Sequence, residues 1–175
     1  MGWRRILVFY VLAGLIGGGL YLEQRMRSPN VAVDNAAPPI VEFLASRIDE
    51  VQLEGGGVDL RFERSEGRWS LVKPRGVDIG SDLVEALLDT LTTIPPVELL
   101  EGQSGNLEEF GLDPAQFVLA MFSEDEAVAS VAIGIRNPTR TAVYARVDGD
   151  GPVYLLGFNA QYYIELIVDE MDKAR

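Results

Sequence analysis

An uncharged apolar run from Ile6 to Leu22 constrains this chain more than any other feature. Trp3, Arg4 and Arg5 lead into it, and Glu23, Arg25 and Arg27 close it. Its 17 residues, at about 1.5 Å of helical rise each, span roughly 26 Å. That is near the lower limit for crossing a hydrocarbon core of about 30 Å. Trp3 and Tyr21 stand near the two ends, where amphipathic aromatics favour the headgroup level. The leading flank carries two arginines and no acid, whereas Glu23 offsets part of the far flank. The positive-inside bias therefore predicts a cytoplasmic N-terminus and a domain on the outer side of a bacterial inner membrane. A cleaved signal peptide would share the basic start. It calls for a shorter apolar stretch and a small-x-small cleavage site, and Leu20-Tyr21-Leu22-Glu23 supplies none. A lipid anchor on an N-terminal cysteine is excluded, because the chain has no Cys. Within the run, Gly14 and Gly18 put small residues on one helical face, together with Ala13, Gly17 and Gly19. Such a face lets a second membrane helix approach closely.

The chain divides at changes in pattern. Residues 1–27 read as the anchor and its flanks. Residues 28–39 are rich in Pro, Asn and Ala, lack periodicity and read as a tether. Residues 40–175 read as an α+β domain. Beyond residue 27 the chain holds 11 basic and 26 acidic residues, a net charge of −15. Nucleic acid and anionic headgroups would repel that surface. No disulfide framework is available, so apolar burial must hold the core together.

Strand and helix signals alternate along the domain. A short amphipathic stretch, Ile40 to Ile48, is expected to make one or two helical turns. Val51 and Leu53, then Val58, Leu60 and Phe62, alternate with polar residues about Gly55-Gly56-Gly57. Trp69 to Val72 continues the pattern beyond the turn Arg64-Ser65-Glu66-Gly67. Ser81 is the expected N-cap of a helix with Leu83, Val84, Leu87, Leu88, Leu91 and Ile94 as its apolar stripe. Pro95-Pro96 stops it. A short strand at Val97 to Leu100 and a polar loop to Asn106 follow. Strands are predicted at Phe117 to Phe122, Ala127 to Ile135, Ala142 to Val147 and Val153 to Leu156. A last helix, capped by Asn159, carries Ile164, Ile167, Val168 and Met171 on one face. The element order describes antiparallel hairpins or meanders with two amphipathic helices. It divides into two related βββα-like halves, 40–100 and 107–175.

The residues that carry chemistry are few. With no His and no Cys, His-based acid–base work, thiolate nucleophiles and His or Cys metal sites are excluded. Phosphate-binding glycine loops do not occur, and Gly55-Gly56-Gly57 reads as a hairpin turn. Asp148-x-Asp150-Gly151 begins like a calcium loop, but Pro152 and Val153 stand where further ligands should follow. Glu124-Asp125-Glu126 reads as a solvated turn. Lys73, beside Pro74 and Arg75, reads as a wet strand end and not as a nucleophile. The basic loop Arg136-Asn137-Pro138-Thr139-Arg140-Thr141 has two readings. Arg136 and Arg140 contact a partner, or they compensate acids nearby, which is the simpler account.

Several landmarks fall in a recognisable order. They are Gly67-Arg68-Trp69-Ser70-Leu71 followed by Pro74, a Leu-rich helix, Phe110-Gly111-Leu112-Asp113-Pro114, Ile133-Gly134, Val143-Tyr144-Ala145-Arg146-Val147 and Val153-Tyr154-Leu155-Leu156. Over most of residues 40–160 the chain resembles the bacterial family called domain of unknown function 4340. The resemblance implies an anchored envelope protein, often alongside ABC-type transport components, and carries over no catalytic residues. The motif itself reads as structural. Phe110 and Leu112 plug a core, Gly111 permits a turn, and Asp113-Pro114 starts the next strand.

The sequence therefore leads to a non-enzymatic, membrane-anchored accessory or interaction subunit with no cofactor. Its expected partners are the bilayer through residues 6–22 and a membrane protein. The alternative is a periplasmic module that binds a small ligand or cation between the two halves.

Overall fold

Alternation of apolar and polar residues decides the strands. In the computed structural model, which describes residues 37–102 and 105–174, eight strands form one antiparallel sheet. They are β1 (Glu50–Gly55), β2 (Val58–Ser65), β3 (Arg68–Lys73), β4 (Glu98–Leu100), β5 (Phe117–Ser123), β6 (Glu126–Arg136), β7 (Ala142–Val147) and β8 (Val153–Gly157). Two helices, α1 (Ser81–Thr93) and α2 (Asn159–Lys173), complete an α+β fold. The expectations for the anchor, for Gly14 and Gly18 and for most of the tether lie outside the described residues. No described helix is long and apolar enough to cross a membrane.

The sheet order is β3-β2-β1-β5-β6-β7-β8-β4. The first and second halves of the chain join at the pairing of β1 with β5, with Val51 opposite Met121 and Leu53 opposite Leu119. On either side of that seam a meander runs outward, β1-β2-β3 one way and β5-β6-β7 the other. The seam strands leave through matching two-residue turns. Gly56 and Gly57 have φ of 58° and 83°, and Glu124 and Asp125 have φ of 52° and 64°. Two left-handed central residues make a type I′ turn, whose twist matches that of the flanking strands. The first half is therefore βββα. The second differs from the expected repeat by an added strand, because β8 lies between β7 and α2 and carries β4 on its outer side.

Both helices cover one face of the sheet. Val84, Leu87, Leu88 and Leu91 of α1 are buried, as are Ile164, Ile167 and Met171 of α2. They join Val51, Leu53, Leu60, Phe62, Leu119, Met121, Val131, Ile133, Val143 and Ala145 in one core. Both expected caps are displaced by one residue. Gly80 precedes α1 and Phe158 precedes α2, and neither gives a side-chain cap bond. Ser81 Oγ instead accepts from the Trp69 backbone N–H at 2.9 Å, which ties β3 to the start of α1. A carboxylate from the other helix reaches the α1 N-terminus, where Glu170 Oε2 accepts from Gly80 N–H at 3.2 Å. Negative charge is favourable there because the first helical N–H groups are unpaired. The stretch Ile40 to Ile48 is irregular, with bends and one 3₁₀ turn, Ala45–Arg47. Val41 N–H donates to Leu91 O at 3.3 Å and seats that stretch against the end of α1.

Candidate functional site

The motifs that carry the family resemblance meet in space. Phe110 and Leu112 are buried beside Val153, with Leu100, Leu107, Ala132 and Tyr144 around them. Because side chains alternate along a strand, Ala132 and Tyr144 point away from the helices, so this small cluster plugs the opposite face of the sheet. The Phe110 and Tyr144 ring centroids are 4.5 Å apart. Ile135 N–H donates to Phe110 O at 2.9 Å where the β6–β7 register breaks, between Ile133 and Arg136. Gly134 makes that approach possible, since a Cβ there would lie 2.1 Å from Phe110 O. Asp113-Pro114, expected to start a strand, is instead a cis turn closed by a bridge between Leu112 and Ala115. Trp69 is structural too. Its Nε1–H donates to Glu85 Oε2 at 2.9 Å, Arg64 Nη2 donates to the same oxygen at 2.6 Å, and the Arg64 guanidinium lies 4.7 Å from the Trp69 ring centroid.

The basic loop divides into two different positions. Arg136 closes β6 and turns inward. Its Nε donates to Gln161 Oε1 at 2.9 Å, and its Nη2 donates to Glu165 Oε1 and Oε2 at 2.7 and 2.8 Å. Its guanidinium lies 4.5 Å from the Phe158 ring centroid. All three partners belong to α2 or the residue before it, so Arg136 pins that helix to the sheet. Arg140 stands exposed in a tight loop at φ 58°. Asn137 Oδ1 organises that loop by accepting from the Thr141 and Ala142 N–H groups at 3.0 and 3.1 Å. Arg136→Ala is expected to cost about 1–2 kcal/mol, because it breaks a charge-assisted contact and strands a buried Gln161 oxygen. Arg140→Ala should stay within about 0.5 kcal/mol. Urea midpoints measured side by side check both, and equal losses would contradict this division.

A groove of about 410 Å³ lies on the helix side of the sheet, near its β4 edge. Pro38, Pro39, Ile40 and Phe43 form one wall. Leu99, Tyr154, Val147 and Ala129 form the floor, contributed by β4, β8, β7 and β6. Among the described residues, the charged ones lining it are Glu42 and Asp148, with no Lys or Arg. Leu99 and Val97, next to it in the chain, are 43% and 68% exposed. No sequence motif marks the groove. Its lining is collected from stretches far apart in the chain.

Other chemistry is sparse. Lys73 is exposed and pairs with Asp59 at 2.6 Å. Among the described residues no group of three or more acidic side chains is placed to hold a metal. The two halves meet along the hydrogen-bonded β1–β5 seam, so backbone occupies the place where a cleft between them was envisaged. Polar side chains surround Arg61, which pairs with Glu50 and Glu63 at 2.5 and 3.2 Å.

Comparison with known proteins agrees with the motif geometry. Neither a curated protein nor a solved structure matches the chain. A family model does match, from Trp69 to Lys173, and so takes in α1, β4 and the whole second half of the sheet. That span exceeds half of the chain, which therefore belongs to the family described as "Domain of unknown function (DUF4340)".

Proposed function

We propose that this chain is a membrane-anchored, non-enzymatic interaction subunit of a bacterial envelope complex, with an ABC-type transporter as the candidate assembly. In this reading residues 6–22 cross the inner membrane, the N-terminus is cytoplasmic and the α+β domain is periplasmic. The observation that carries it is the apolar run with its basic leading flank. The lack of His and Cys and the structural employment of Trp69, Arg136 and the Phe110–Leu112 motif support a role in contact rather than catalysis. Gly14 and Gly18 supply the helix face for a membrane partner. Substituting both with Leu is expected to reduce co-purification of that partner from gently solubilised membranes at least tenfold, with the chain still membrane-bound. Undiminished recovery would remove the helix contact from the proposal.

A second reading, a periplasmic small-ligand module, is favoured by one observation. The groove's volume of about 410 Å³ falls within the roughly 300–1,000 Å³ of small-molecule sites. Ligand binding to the folded state would raise the melting temperature in a thermal-shift screen.

A further inference from the structure

The geometry points to the β4 edge and its adjoining groove as a docking site for an extended segment of a partner protein that alternates apolar and basic residues. This inference rests on the interaction-subunit reading above and names the surface and the partner chemistry. Strand β4 bonds to β8 on one side and ends the sheet on the other. An edge strand presents backbone N–H and C=O groups that can pair with an added strand. The two edges of this sheet are unlike. At the β3 edge, Arg68 and Lys73 stand exposed at the strand ends and the β2–β3 register is bulged, features that discourage pairing. The β4 edge is three residues long and carries Glu98, but it exposes Val97 and Leu99 beside an apolar floor.

Charge selects among occupants. Glu98 and Glu101 are exposed on and just after β4, and among the described residues Glu42 and Asp148 are the charged ones at the groove. A second copy added along this edge would bring its own Glu98 and Glu101 to the same acidic edge, and like charges across a strand pair are unfavourable. An added strand with basic residues at alternate positions meets opposite charge, while its apolar residues sit over Leu99 and Tyr154.

The test uses the full chain in a non-ionic detergent and a fluorescent eight-residue peptide of alternating valine and lysine, read by anisotropy. Saturable binding is expected. Methylating alternate peptide nitrogens, which removes strand hydrogen bonds and keeps the charge, should weaken it at least tenfold. The exposed pair Glu98→Lys with Glu101→Lys should do the same, whereas Glu66→Lys with Glu124→Lys at distant turns should change it less than twofold. A peptide alternating valine and glutamate should not bind. No binding, full binding of the methylated peptide, or equal losses from both pairs of substitutions would overturn the proposal. So would self-association of the chain that is lost on altering β4. These outcomes leave the membrane-subunit reading standing, because that reading rests on the apolar run at residues 6–22 and is tested apart from β4.

Discussion

Gly134→Ala is expected to destabilise the domain by about 3 kcal/mol, at the upper end of overpacking costs. The new methyl group would lie 2.1 Å from Phe110 O and about as close to the Gly111 backbone as the 3.1 Å contacts allow. Both obstacles are main chain, so no side-chain rotation relieves them. Either the Phe110–Leu112 plug lifts off the sheet or β6 moves away from it. Lifting the plug also breaks the Ile135 N–H to Phe110 O bond and exposes Val153. Gly157→Ala is the matched control, since a Cβ there meets nothing within 4 Å. It should change stability by less than about 0.5 kcal/mol, as surface substitutions usually do. Urea denaturation of the two variants and the parent measures the difference. Equal effects would mean that the motif contact is not what Gly134 serves.

The second large effect concerns the end of α1. Leu91→Ala is expected to cost about 3 kcal/mol, from lost burial and the cavity left behind. Leu91 is 1% exposed and sits where Val41 N–H bonds its carbonyl. Ile94, three residues further along the same expected stripe, should cost less than about 1 kcal/mol when changed to Ala, because only part of its surface is removed from water. It falls beyond the last helical residue, Thr93, and is 43% exposed. Comparable losses at the two positions would place Ile94 back on the buried face.

The two residues also show how far local pattern carries. Helical spacing runs from Val84 to Ile94 without a break in the sequence. The end of the helix is decided by Pro95-Pro96, which removes two N–H donors and turns the chain away from the core. The hairpins were legible for a similar reason, since alternation and the turn residues are both local. The β1–β5 seam was not, because it joins strands separated by three further strands, a helix and a long loop. Nor was the employment of polar side chains. Ser81 and Asn159 each have the chemistry of a cap. Ser81 Oγ instead accepts the Trp69 N–H, and α2 begins at Asn159 with Phe158 before it. For Arg136, compensation of nearby acids was the simpler reading of the sequence, but the identity of its partners, Gln161 and Glu165 on α2, was not legible there. Contacts between elements that are distant in sequence assign these roles. The groove belongs to the same class, as its floor comes from four strands.

The chain's own lack of cysteine allows the central claim to be measured directly. A single Glu66→Cys substitution places one thiol in the exposed β2–β3 turn. Spheroplasts carrying this variant are treated with a membrane-impermeant maleimide, and the membranes are then extracted with alkaline carbonate. The account expects labelling before lysis and a full-length chain retained in the membrane pellet. Labelling only after lysis, or a shortened chain released to the supernatant, would contradict a periplasmic domain held by an uncleaved anchor.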